Sequence, residues 1–502
     1  MEPTPAQNHH STFQGSCAGD AISGRKESEC SDFTILRVND VPKFDLESYI
    51  ANYSGRTRFS RLYFIGNCCS PLAVEALNMA ILEARSGKDI TNYQKAVGVL
   101  AAVAPLEAEA ILDMVWVEQT LKNVKADTDR LEHELKGYKN NLIKESIRMG
   151  NEDLGQHYHE IGDLGAASKA YSRMREYCTT TSHIVSMLFN NINVAIDRRD
   201  WLSVQSNVYR LRNIQFKADD EAKSKAKMWA SLGLSQLATG AYFSAAISFV
   251  SVDPILGDTY KQVISANDVT IYGGLCALAS MDRTDLINHV LENKSFRSFL
   301  ELEPHIRRAI SFFCGSKFRP CLDILESYRT DYLLDIYLQK HVYRLYEHIR
   351  NKAIQQYVIP FSRITLPAMA TTFSSDEIMT STDDVKETES PFVTELLTLI
   401  QDGVLDARVD LEKRVLVTKR PNIHLEKHST ALLMVTDYLD NAHVQLLRLN
   451  LLHSGLEVPE SQVCGPRAET LGVSGLEREE APGDFAWKAF TSKFHMDSRG
   501  NR

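Results

Sequence analysis

The chain has 502 residues, about three domain-lengths, with enough apolar content for a sizeable core. Its formal net charge of −9 gives no electrostatic reason to expect nucleic acid, and no run of about 18 apolar residues is present to span a membrane. Nine cysteines, an odd number with no C-x-x-C pair, indicate reduced thiols rather than a disulfide or zinc framework, and the N-terminus lacks a charged-then-apolar signal pattern. The expected location is cytoplasm and nucleus.

Residues 1–40 are rich in Ser, Gly, Pro, Asn and His and carry few large apolar groups, so they are expected to be disordered. A helical N-terminal segment is expected over 41–137. Asp45 to Gly55 and Arg61 to Gly87 read as short helices ending at glycines. Ala101 to Pro105 is a small apolar stretch, and Glu107 to Lys136 is a more charged helix with Trp116 and Leu121 on its apolar side.

A repeat signal occupies 138–298. Leu154-Gly155 is followed by Tyr158, Gly162, Ala167 and Tyr171, and the same order returns as Leu232-Gly233, Gly240, Ala245 and Phe249. Small residues where two helices cross, with aromatics filling the gaps, are the tetratricopeptide pattern. A weaker unit lies between them around Leu188 and the Asp200-Trp201 turn, and Ile271 to Met281 adds one more helix to the stack.

The region 299–420 begins with helix-length patterning. Leu333, Ile336, Tyr337, Leu345, Tyr346, Ile349, Ala353 and Tyr357 recur at three and four, which predicts an amphipathic helix. From about 360 the rhythm shortens. Ile364 to Ala370 reads as a short helix. A second opens at Ser390-Pro391, buries Phe392, Leu396, Leu397 and Ile400, and stops at Gly403. Leu405, Ala407 and Val409, then Val415 and Val417, alternate with other residues on either side of a polar turn, which is a hairpin. Helix, helix and hairpin make a winged helix over 360–420. Between its helices, 374–390 holds six acidic residues against Lys386.

The last ordered element is expected over 421–454. Leu425, Leu432, Leu439 and Leu446 are seven apart, with Val435, Ala442 and Leu449 at the intermediate positions and His428 as the one polar exception. That spacing predicts a seam facing other long helices. Residues 455–502 turn to Gly, Pro, Ser and charge, and read as a disordered tail with one aromatic cluster, Phe485, Trp487, Phe490 and Phe494.

Helical repeats running into a winged helix resemble the PCI domain of proteasome-lid, COP-9 signalosome and translation-initiation scaffold subunits. The phrases Ser295 to Pro304 and Asp331 to Leu338 look like the subunit-one family of the signalosome, as do Asp45 to Gly55 and Ile271 to Met281. The resemblance implies a mainly α, non-catalytic scaffold subunit without cofactor or metal. Its partners would be other PCI subunits (two and three), the metalloprotease subunits met through a helical bundle, and the cullin-RING ligase substrate. A metalloprotease subunit, not this chain, would remove the ubiquitin-like modifier. The wing edge (Leu405, Ala407, Val409, Val415, Val417) and the terminal seam would carry assembly. The acidic 374–390 segment departs from the family pattern as an insertion.

Catalytic motifs are lacking. His157 and His159 are about 200° apart on a helix and cannot chelate one ion. His424 and His428 share a face, but Glu426 points away from both, unlike the base of H-E-x-x-H. No phosphate loop or nucleophile elbow is present. The second winged-helix helix offers only Glu395, Thr398 and Gln401 for base edges, which weighs against sequence-specific DNA reading. Three alternatives stay open: a proteasome-lid PCI subunit, a winged-helix regulator, and a tetratricopeptide receptor for chaperone tails. The last needs a concave basic clamp, and the repeats show no obvious Lys/Asn set.

Overall fold

A computed structural model describes residues 36–216, 220–373, 391–418 and 423–456. The chain divides into two compact units, Met1–Lys419 and Arg420–Arg502. The first is a helical stack ending in a small sheet; the second contains one long helix. The acidic 374–390 segment, most of the N-terminal stretch and the tail beyond 456, with its aromatic cluster, lie outside the described residues.

Order begins earlier than composition predicts. Val38 is buried and forms a parallel bridge with Cys69, its N–H donating to the Cys68 carbonyl at 2.7 Å. Two helices, α1 (Leu46–Ile50) and α2 (Arg56–Cys68), follow. The stretch to Gly87 is two helices rather than one: it breaks at Cys69 to Leu72, and α3 (Ala73–Ser86) resumes beyond Pro71. Ala101 to Pro105 belongs mostly to the end of α4 (Ile90–Val103), whose start is capped by Asp89. The charged helix is α5 (Met114–Asn140), capped by Asp113. Trp116 packs against Tyr93, but Leu121 is 60% exposed: the apolar face of α5 is narrower than its composition suggested.

The repeat helices pair as expected. These are α6 (Lys144–Ile161), α7 (Leu164–Met174), α8 (Thr181–Asp197), α9 (Trp201–Arg212), α10 (Glu221–Ala238), α11 (Tyr242–Val250) and α12 (Ala266–Ser280). A Cβ on Gly155 would stand 2.6 Å from the Tyr171 ring, and one on Gly233 2.9 Å from Phe249. The glycines therefore exist to let an aromatic from the next helix close against backbone. Gly274, on α12, meets Ile306 in the same way at 2.3 Å. Gly162 ends α6 at φ +101°, a conformation that favours glycine.

A one-turn α13 (Arg283–Asp285) and a π-helical turn (Leu286–Leu291) lead to α14 (Lys294–Leu300), α15 (Pro304–Cys314), α16 (Phe318–Ser327) and α17 (Arg329–Leu333). The predicted continuous helix through Leu333 and Tyr357 is broken. Residues 334–341 are turns, and α18 spans Val342–Val358. Asp335 causes the break: its Oδ1 accepts from the N–H groups of Tyr337 and Leu338 at 2.9 Å each, an Asx-type turn that competes with helix. The apolar periodicity survives because Leu333, Ile336, Leu345, Ile349 and Ala353 are all buried.

The winged helix has three strands, not two. Ile364 lies in β1 (Arg363–Thr365), and the first helix, α19 (Leu366–Phe373), starts after it. A three-residue strand carries too little period to read, and only its partner reveals it. The second helix, α20 (Pro391–Gln401), buries Phe392, Val393, Leu396 and Leu399, while Leu397 is exposed, so the buried stripe is rotated toward Val393 and Leu399. Gly403, at φ +72°, stops it as predicted. Strands β2 (Ala407–Asp410) and β3 (Val415–Thr418) complete an antiparallel sheet in the order β1-β3-β2. One continuous core runs from Val38 through the repeats to Leu416. The second unit holds α21 (Ile423–His453), 31 residues long.

Candidate functional site

The sheet order decides which strand has an open edge. β3 is central, so Val415 and Val417 cannot offer an unpaired edge, contrary to the hairpin reading. Leu366 N–H donates to the Arg414 carbonyl and Thr418 N–H to the Ser362 carbonyl, both across the β1–β3 ladder. Alternation then turns the backbone of Val415 and Val417 toward β2, where they face Asp410 and Arg408. The polar groups of Val409 and the carbonyl of Ala407 point the other way. Among the described residues no strand covers that side of β2. Leu405 precedes the strand, and Leu405 and Ala407 are buried in the core rather than presented to a partner.

Helix α20 is held from behind. Arg350 grips Glu395 through two bonds of 2.5 and 3.0 Å and donates to the Phe373 carbonyl at 2.9 Å, tying α18 to both winged-helix helices. Glu395, one of three side chains that could have addressed a base edge, is thereby committed to the fold.

In α21 the seam residues Leu425, Leu432, Val435, Leu439, Leu446 and Leu449 are all exposed, Leu425 at 67%, and Ala442 is half-buried. Leu433, Met434, Tyr438, Val444 and Leu447 are exposed as well, so apolar surface extends well around the helix. Isolated exposed leucines are ordinary, whereas exposed apolar side chains this numerous on one element are not.

Sequence reasoning missed the polar centre of the first unit. Arg61 of α2, fully buried, donates to Asp268 at 2.8 Å, to Asp335 at 2.5 Å, to Tyr272 at 3.2 Å and to the Tyr49 hydroxyl. Tyr53 and Tyr272 in turn donate to Asp268 and Asp335, each at 2.7 Å. Burial raises the Asp268 carboxyl above the ordinary range, and Arg61 opposes it. The available signal was Ser265 with Asp268, a capping box at the start of α12. Every partner is a structural side chain, so this centre welds α1, α2, α12 and the turn after α17 together, and Tyr49, Tyr53, Asp268, Tyr272 and Asp335 also line a cavity of about 220 Å³ beside it.

The PCI domain family model matches residues 325–420, and that of 26S proteasome subunit RPN7 matches 113–289. COP9 signalosome complex subunit 1 of Emericella nidulans is 62% identical over 84% of this chain and 85% of its own length. The chain belongs to the COP9 signalosome subunit 1 family. Subunit 1 of Neurospora crassa is 43% identical over 82% of this chain and 91% of its own length, and that of Arabidopsis thaliana 38% identical over 81% and 90%.

In this chain the histidine pair serves packing. His157 meets the Thr128 hydroxyl at 2.8 Å, its pKa lowered mainly by burial, while His159 meets Asp197 at 2.6 Å. The two rings engage different helices. Among the described residues no group of three or more His, Cys, Asp or Glu side chains could hold a metal ion, and no helix is long and apolar enough to cross a membrane.

Proposed function

We propose that this chain is a scaffold subunit that joins a signalosome through the outer edge of β2 and through α21, and that it contributes no catalytic residue. Subunits two and three are the proposed PCI neighbours, and the metalloprotease subunits are proposed to meet α21 in a helical bundle. The chain would position removal of the ubiquitin-like modifier from cullin-RING ligases by another subunit, in cytoplasm and nucleus. Membership of the subunit 1 family supports the assembly, and the RPN7 match over 113–289 supports common ancestry with the lid.

The observation that carries the reading is α21: 31 residues bearing leucines at heptad spacing that are exposed to solvent. A helix of that kind is expected to bury its apolar surface against long companions. The test is native mass spectrometry of the complex purified through this chain. A version ending at Arg420 is expected to lose its partners. Retention of the full partner set by that version, together with indifference to Val409→Pro, would refute the proposal.

A further inference from the structure

The repeat arm carries a polar groove that assembly through the wing and α21 does not use. Helices α7, α8 and α9 line a cavity of about 270 Å³, and each contributes an arginine with a small polar or alanine residue one turn before it. These are Ser172 of α7 with its C-cap Arg175, Ala195 of α8 with its C-cap Arg198, and Asn207 and Arg210 of α9. The three guanidinium groups are exposed and make no ion pair or hydrogen bond with another described residue. Ser168 and Asn207 likewise have unengaged side chains. The one carboxylate in the lining, Asp200, is committed to capping α9 through the Ser203 N–H and hydroxyl. Three unmatched positive charges with free hydroxyl and amide groups between them, on a chain of net charge −9, are complementary to carboxylates.

We propose that this groove binds an acidic, extended peptide segment of a partner protein. The arginines come from three helices, so carboxylates spread along one segment can each meet one. Arg198 is the C-cap of α8, just before α9 begins, and Arg210 is the tenth residue of α9, about 14 Å along the helix axis from its first residue. An extended chain covers that span in about four residues. The clamp absent from the sequence reading is thus present, built from arginine rather than lysine, and dispersed over three helices so that no local motif betrays it. The inference is independent of the assembly role proposed above.

The test uses the full chain and a fluorescein-labelled eight-residue peptide of Asp and Glu, followed by anisotropy. Binding is expected to weaken with salt, to vanish for the Asn/Gln counterpart, and to fall about tenfold or more in Arg198→Glu and in Arg210→Glu, each lying on the surface where folding is unaffected. Arg307→Glu, the same charge change on α15, is the control and should bind as the wild type does. Equal losses in the control, unchanged binding in both groove variants, or full displacement by millimolar inorganic phosphate would each overturn the proposal.

Discussion

Arg61 and Asp335 are 274 residues apart in sequence and 2.5 Å apart in the fold. This contact, completed by Asp268, fastens the first helices of the chain to the segment where the PCI region begins, and makes the N-terminal arm and the winged-helix support one body with one core.

Arg61→Met should therefore destabilise the first unit severely, by about 3–5 kcal/mol, because it leaves two carboxylates buried without a counter-charge. Chemical denaturation followed by circular dichroism measures it. Adding Asp268→Asn and Asp335→Asn to Arg61→Met should recover part of the loss. If the triple variant were no better than the single one, packing rather than charge would be the cause.

Glycines in the stack should divide by what their missing Cβ would meet. Gly274→Ala is expected to cost about 1–3 kcal/mol, since the added methyl would stand 2.3 Å from Ile306. Gly98→Ala, in α4 with nothing within 4 Å, should stabilise by up to about 1 kcal/mol through helix propensity. Thermal midpoints moving in the same direction for both would contradict this account.

His341 gives the first unit a pH dependence. Burial, then Lys340 and Arg344, lower its pKa to about 4 from the usual 6.5, and its Nδ1 lies 3.1 Å from the Tyr242 hydroxyl, with His348 against the same tyrosine. Between pH 6.5 and 4 the unfolded chain takes up a proton that the folded chain refuses, so stability is lost as pH falls through that window. His341→Gln should flatten the decline when melting is followed from pH 7.5 to 5. An unchanged slope would assign the acid sensitivity elsewhere.

Two neighbouring residues of β2 should respond oppositely to proline. Arg408 faces β3 and needs its N–H, so Arg408→Pro is expected to disrupt the sheet and lower the melting temperature. Val409 turns its N–H outward, so Val409→Pro should leave the isolated chain folded but weaken capture of PCI partners. Equal melting losses in both variants would show the register argument to be wrong.

Much of this protein was legible in residue order. Gly155 with Tyr171 and Gly233 with Phe249 announce helix crossings, because a missing side chain and a large ring complement each other over short sequence distances. Heptad leucines announce α21 for the same local reason. What tertiary structure alone decided depends on contacts between distant segments. A three-residue β1 exists only because β3 pairs with it, and its pairing closes the outer side of β3 and leaves β2, with Val409, at the margin. Asp335 breaks a helix that its neighbours favour, and Arg61 finds its carboxylates more than 200 residues away. Periodicity reports which face of an element is apolar; which charges meet across the core, and which strand is left at the margin, is fixed only when the chain closes on itself.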